Sequence, residues 1–137
     1  MKIMGLDVGS RTIGVAVSDD MGWTAQGVLT IARKNLDKDI EELKKLTDQY
    51  KVLEIVVGLP KRMDGTIGKQ AEEVLDLAET IRNSLNIPVK TWDERFSTIA
   101  AQKTLLEGDV SRKKRKKVID KIAAVFILQG YLDSKRI

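Results

Sequence analysis

Apolar and β-branched residues cluster in two short blocks, 3–8 and 13–17, separated by the polar stretch Gly9-Ser10-Arg11-Thr12. This pattern predicts a β-hairpin turning at Gly9 and Ser10. A third block, 24–31, follows the turn-forming Asp19-Asp20-Met21-Gly22, so the first three strands should form an antiparallel meander. The period then changes. Leu36, Ile40, Leu43 and Leu46 recur at helical spacing, with Asp37 and Asp39 in the first turn where the helix dipole favours negative charge, which predicts a helix over 36–50. The run 52–58 is mostly apolar and follows a helix, the pattern of an interior strand reached by a crossover. Pro60 and Asp64-Gly65 mark 59–66 as a loop. Ala71, Val74, Leu75, Leu77, Ala78, Ile81 and Leu85 then form the stripe of a second helix closing near Asn86. Residues 88–92 read as a fifth strand, and a third helix starting at Thr98 is stopped by Gly108-Asp109. A last helix follows the cations of 112–117 and extends to about Leu132. Its apolar positions, Val118, Ile122, Val125 and Leu128 widened by Ile119, Ala123, Phe126 and Ile127, predict that it is largely buried.

The resulting order, β-β-β-α-β-α-β-α-α, predicts one α/β domain over 1–137. Its five-stranded mixed sheet combines three antiparallel strands with two parallel additions and carries helices on both faces. No run approaches the ~18 uninterrupted apolar residues of a membrane span. No charged-then-apolar leader precedes the first strand, so the expectation is a cytoplasmic protein without membrane contact.

The chain has no Cys and no His. Thiolate zinc sites, Cys nucleophiles and His general bases are therefore excluded, leaving carboxylate, Lys, Ser/Thr and Tyr for any catalysis. Carboxylate oxygens are hard ligands, which points any metal site toward Mg²⁺ or Mn²⁺. Six consecutive cations, Arg112, Lys113, Lys114, Arg115, Lys116 and Lys117, outweigh the whole net charge of +4, so the rest of the chain is acidic overall. A local patch of this kind suits a polyanion such as nucleic acid, because each phosphate neutralised releases a counterion.

The candidate chemistry lies in the carboxylates. Asp7 ends the first strand, Asp93 and Glu94 follow the fifth, and Asp120 shares a helix face with Ala123, Ala124 and Ile127. Strand ends beside a topological switch gather into one crevice, so three separated acids could converge there. Unpaired, they would raise one another's pKa values; paired Mg²⁺ ions remove that penalty and create a clamp for phosphoryl chemistry. Adjacent strand residues face opposite ways, so Asp93 and Glu94 should not both contribute, and the pattern leaves open which does. Plainer roles exist for other residues: Asp7 could bond turn amides, Ser10 and Thr12 the hairpin backbone, and Trp23 and Trp92 read as packing residues.

Four motifs in order carry a resemblance. They are Gly5-Leu6-Asp7-Val8-Gly9 with Gly14-Val15-Ala16-Val17-Ser18-Asp19; Val57-Gly58-Leu59-Pro60 with Asp64-Gly65-Thr66; Asp93-Glu94-Arg95-Phe96-Ser97-Thr98; and Asp120-Lys121-Ile122-Ala123-Ala124 with Ile127-Leu128-Gln129-Gly130-Tyr131-Leu132. Over nearly its whole length the chain resembles the YqgF (RuvX) family, described both as candidate pre-16S ribosomal RNA nucleases and as candidate Holliday-junction resolvases. The resemblance implies an RNase H-like fold and a divalent-metal endonuclease. Asp7, Glu94 and Asp120 would be its catalytic and metal-holding acids, with two Mg²⁺ or Mn²⁺ ions; Asp93 itself reads as a cap on the following helix. Lys61, Arg62, Lys69 and Arg95 would steady the substrate backbone, joined by Arg11 and the basic run. Lys61 and Arg62 depart from the family pattern, which often has an apolar and a non-basic residue there. The implied role is processing the 5′ end of pre-16S rRNA in ribosome biogenesis, with structured RNA and ribosomal particles as partners and a monomer or weak homodimer as the working form. The alternatives are a resolvase acting on branched DNA at four-way junctions, and a nucleic-acid-binding module without catalysis.

Overall fold

The computed structural model describes residues 2–95 and 112–135, of which 112–120 are described in backbone alone. The elements are β1 (Lys2–Val8), β2 (Thr12–Ser18), β3 (Ala25–Ala32), α1 (Leu36–Tyr50), β4 (Val52–Leu59), α2 (Lys69–Leu85), β5 (Val89–Asp93) and α3 (Arg112–Ser134). The strands form one sheet in the order β3-β2-β1-β4-β5. β1 pairs antiparallel with β2 and parallel with β4, β2 pairs antiparallel with β3, and β4 pairs parallel with β5. The meander, both crossovers and the mixed sheet are as the hydrophobic pattern predicts.

The α3 boundary differs from expectation. The basic run lies within the helix, which begins at Arg112 instead of after Lys117. Lys and Arg are good helix formers and no Gly or Pro interrupts 112–129, so the helix continues backward through the cations. The helix expected from Thr98 to Gly108 lies outside the described residues.

Strand alternation splits the sheet into two faces. On one, Met4, Leu6, Val8, Ile13, Val15, Ile55 and Val57 pack beneath α1 and α2, against Leu43, Leu46, Ala71, Val74 and Ile81. On the other, Ile3, Ala16 and Val56 pack against Ala124, Ile127, Leu128 and Leu132 of α3. Small residues let α3 approach closely: a Cβ on Gly5 would lie 2.7 Å from Leu128 Cβ. Such proximity excludes any larger residue at position 5 unless the helix moves.

The far end of α3 is pinned on both sides. Gln129 accepts from Ala25 N–H at 3.0 Å and donates to Trp23 O at 2.9 Å. Across the sheet, Tyr131 donates to Glu54 Oε1 and meets Trp92 edge-on, with ring centroids 6.2 Å apart. Trp92 is thus a packing residue, as expected. Trp23 is not: its backbone is held, while its side chain is 55% exposed on the β2–β3 turn. Among the described residues, no helix is long and apolar enough to cross a membrane.

Candidate active site at the strand ends

Asp7 lies at the penultimate position of β1, opposite Gly14 of β2. Since Leu6 pairs with Val57, the parallel register brings Gly58 of β4 beside Asp7 on its other flank. Gly58 in turn pairs with Trp92, one residue before Asp93. By alternation Gly14, Asp7, Gly58 and Trp92 share the α3 face, and Glu94, two residues beyond Trp92, returns to it. The Glu94 amide continues the ladder by donating to Leu59 O at 3.2 Å.

Glycine at position 58 creates the site. A Cβ there would collide with Glu94 Oε2 and with Ile127 Cδ1. The Glu94 side chain therefore lies back over β4, in the volume where another residue would carry its own side chain, and its carboxyl reaches that of Asp7. Burial first, then the Asp7 charge, the hydrogen bond with Asp7 and the Asp93 charge push the Glu94 carboxyl up to about 8. Among the described residues, Glu94 Oε2 is buried with no hydrogen-bond partner. A buried carboxylate oxygen in that condition is costly, and a cation removes the cost.

Asp93 is turned to the opposite face and has a different occupation. It accepts from the Arg95 amide at 3.1 Å and from Arg95 Nε at 2.9 Å, with Nη2 2.8 Å from Oδ2. Burial opposes ionisation, but the Arg95 side-chain and backbone hydrogen bonds and the Arg95 and Lys61 charges hold the Asp93 carboxyl below its ordinary value. The choice between the two acids, open in the pattern, is made by sheet parity: only Glu94 meets Asp7. The helix that Asp93 was expected to cap lies outside the described residues, and the amide that Asp93 does bond is that of Arg95.

The third acid expected here, Asp120, lies in α3 one turn before Ala124, whose carbonyl oxygen approaches Gly5. Its side chain lies outside those described. Among the described residues, no group of three or more potential metal ligands forms. Asp7 and Glu94 nonetheless supply the right donors for a hard divalent cation: oxygen only, adjacent, and one oxygen without a partner among the described residues.

The expected basic residues fall at the same end of the sheet. Arg11 is exposed on the β1–β2 turn. Lys61 is half-buried beside Asp93, whereas Arg62 and Lys69 are exposed on the loop and helix after β4. Arg95 is a brace: besides binding Asp93, its Nη1 donates to Met63 O at 3.3 Å and so ties the 60–68 loop to the end of β5. The cations of 112–117 occupy the first turns of α3, and their side chains are outside the description.

Two positioning groups escape the sequence pattern. Arg33 donates from Nη1 to Gly9 O at 2.8 Å and from Nε to Asp39 Oδ2 at 3.2 Å, and Asp39 also accepts from the Lys34 amide at 3.0 Å. Asp39, expected as a first-turn dipole acid on α1, is in fact 2% exposed and anchors the arginine that holds the turn after Asp7. Gly58 is the second; the motif Val57-Gly58-Leu59-Pro60 contains it without showing what fills its missing side chain.

Comparison with known proteins places this geometry in a lineage. The family model described as "RuvX: Holliday junction resolvase" matches residues 1–134. A Clostridium acetobutylicum protein named "Putative pre-16S rRNA nuclease" is 58% identical over 134 residues, 98% of this chain and 99% of its own. A Clostridium kluyveri protein of the same name is 59% identical over 133 residues, 97% of each chain. Among solved structures, Thermus thermophilus RuvC in complex with a Holliday junction substrate aligns with a TM-score of 0.58 at 12% identity, covering 98% of this chain and 95% of that one. The Fowlpox virus resolvase bound to Holliday junction DNA aligns at 0.60 and 13%, covering all of both. At such identities the structural matches establish the architecture, which is the RNase H-like fold of RuvC-type resolvases.

Proposed function

Because the chain belongs to the RuvX family, a family of phosphodiester-hydrolysing nucleases, we propose that it is a divalent-metal-dependent endonuclease that processes the 5′ end of pre-16S rRNA in the cytoplasm. The observation that carries this reading is the Asp7–Glu94 pair, two carboxyls brought together on one face with a buried oxygen that has no hydrogen-bond partner among the described residues. A module that only binds nucleic acid gains nothing from buried negative charge facing phosphate. The name shared by relatives 58% and 59% identical supports ribosomal RNA as the substrate.

In this mechanism Asp7 and Glu94, joined by Asp120 from α3, would hold two Mg²⁺ or Mn²⁺ ions. Bound ions supply charge neutralisation and activation of water at the scissile phosphate. The protein's own part is to position. Gly58 leaves room for Glu94, Arg33 fixes the turn beyond Asp7, and Arg95 fixes the loop after β4. Lys61, Arg62, Lys69, Arg11 and the cations 112–117 bind substrate phosphates on either side of the acids. With no His or Cys in the chain, proton transfer falls to water and these carboxyls. The working form is a monomer or weak homodimer that meets its substrate on ribosomal precursor particles.

A second reading, resolution of four-way DNA junctions, is favoured by the family's description and by the Holliday junction substrates bound in the two solved structures of similar fold. One experiment separates them: cleavage of a labelled RNA spanning the 5′ end of small-subunit rRNA and of a four-way DNA junction, each with Mg²⁺ and Mn²⁺. The expected result is cutting of the RNA that falls about 10³-fold in Asp7→Asn. Symmetrical cutting of the junction alone assigns the protein to resolution, and undiminished cutting by Asp7→Asn rejects the site.

A further inference from the structure

The face of the sheet under α1 and α2 carries a cavity of about 520 Å³, a volume typical of small-molecule sites, and neither Asp7 nor Glu94 lines it. It lies where the end of β1, the β1–β2 turn, the residue after β3 and the first turns of α2 come together. Its apolar lining is Val8, Val74 and Leu77, all three buried. Its charged lining comes from two separate elements, Arg33 beyond β3 and Glu73 on α2. Arg33 is held in place by the protein itself: Nε donates to Asp39 Oδ2 at 3.2 Å and Nη1 to Gly9 O at 2.8 Å, and the side chain is 27% exposed. A guanidinium has five N–H donors, and Arg33 makes no other side-chain hydrogen bond among the described residues. The exposed Glu73 carboxylate has no hydrogen-bond or ion-pair partner among those residues.

Arg33 and Glu73 thus line one cavity without neutralising each other. A ligand that completes both must carry acceptors on one edge, donors on another, and apolar faces to lie against Val8, Val74 and Leu77. Guanine has this arrangement. Its O6 and N7 are adjacent acceptors that an arginine meets with two N–H groups. Its N1–H and N2–H lie side by side and fit the two oxygens of a carboxylate. Adenine, cytosine and uracil lack such a pair of adjacent donors.

We propose that this cavity is a guanine-binding site, in which Arg33 donates to O6 and N7, Glu73 accepts from N1 and N2, and the ring lies against Val8, Val74 and Leu77. The site is separate from the acidic pair and does not rest on the nuclease reading. Gly9 and Ser10 also line the cavity, so an occupant bears on the turn that follows Asp7, from the face opposite the acids. The guanine belongs either to a free nucleotide or to an unpaired nucleotide of a bound strand, two sources with the same chemistry.

The test is calorimetric titration of the full chain with guanosine monophosphate, with inosine monophosphate, which lacks the N2 amino group, and with adenosine monophosphate. The same comparison is made in a short single-stranded RNA carrying guanine, inosine or adenine at one central position, bound to the Asp7→Asn chain so that it is not cut. The guanine form should bind best, with inosine weaker by about tenfold, the effect of losing one hydrogen bond to a charged acceptor. Glu73→Gln should remove the preference for guanine over inosine while leaving the thermal midpoint unchanged, because the side chain is exposed and unpaired. Arg33 is left intact, since it also holds the β1–β2 turn. Methyl NMR signals of Val74 and Leu77 should shift on binding. A guanine preference in the mononucleotide identifies a free nucleotide as the source, and one confined to the strand identifies an unpaired base of bound RNA. No guanine preference in either, or one that persists in Glu73→Gln, overturns the site and leaves the nuclease reading standing.

Discussion

The two faces of the sheet are built from the same strands and could hardly differ more. Under α1 and α2, alternate positions carry Met4, Leu6, Val8, Ile13, Val15, Ile55 and Val57, large side chains that fill the layer. Under α3, the intervening positions near the strand ends are Gly5, Asp7, Gly14 and Gly58. The first face stabilises by burying area; the second gives up that area to let a helix and a carboxylate approach the backbone. Asp93 and Glu94 condense the contrast into one step of the chain: the first is held below its ordinary pKa by Arg95, the second is pushed up to about 8 by burial and Asp7.

The largest effect should come from filling the gap. In Gly58→Ala the new methyl occupies the place of Glu94 Oε2 and of Ile127 Cδ1. Either Glu94 swings away or α3 lifts, and cleavage should fall about 10²–10³-fold, comparable to losing a group that stabilises the transition state. Overpacking should cost about 1–3 kcal/mol in stability. Glu94→Ala in the same chain should return part of that stability without returning activity, a coupling that a double-mutant cycle reads directly. Additive stability effects would show that Glu94 does not lie over Gly58.

Strand parity made much of this legible in the sequence. The apolar, β-branched blocks 3–8 and 13–17 and the apolar run 52–58 gave the sheet, and helical stripes gave α1, α2 and most of α3. It also gave the rule that only one of Asp93 and Glu94 faces Asp7, but not which, because the answer depends on the register of β5 against β4. Gly58 was visible as a residue and not as a vacancy, since what occupies a glycine's empty side comes from a neighbouring strand. Asp39 read only as a first-turn acid of α1 and Arg33 was not singled out; their pairing arises only where α1 folds back to the β1–β2 turn.

A smaller, continuous probe is pH. The folded Glu94 carboxyl, at about 8, holds a proton that the unfolded chain releases near its ordinary 4.5. Between those values the native state binds more protons, so without metal its stability should be greatest at the acid end of the window and decline as pH rises to 8, by at most about 1.4 kcal/mol per unit. Asp93, shifted downward, contributes in the opposite sense: its stabilisation is present above the ordinary carboxylate value and is lost in acid. Mg²⁺ needs the ionised pair, so the thermal shift it produces should grow from pH 5 to pH 8. Glu94→Gln should flatten both dependences and exceed the native protein in metal-free stability at pH 8. A metal-free stability that rises steadily from pH 5 to 8 would falsify the assignment of Glu94 as a buried, proton-holding acid.

The finest comparison removes one methyl from each face. Ile81 and Ile127 are both fully buried, the first on α2 and the second on α3 with its Cδ1 against the Gly58 slot. Replacing either by Val deletes that terminal carbon and should cost a similar amount, about 0.5–1.5 kcal/mol. The consequences for chemistry should separate. Ile81→Val removes packing from the layer on the far side of the sheet from Glu94, so the Glu94 titration should be unmoved. Ile127→Val opens space beside Glu94 Oε2, admits water to a carboxyl whose upward shift is caused first by burial, and should lower its pKa by on the order of one unit or less. Carboxyl NMR of Glu94 in the two variants reads the difference directly. Equal titrations in both would mean that the α3 face is as chemically indifferent to its packing as the other, and that the Asp7 charge, not burial, sets the Glu94 proton affinity.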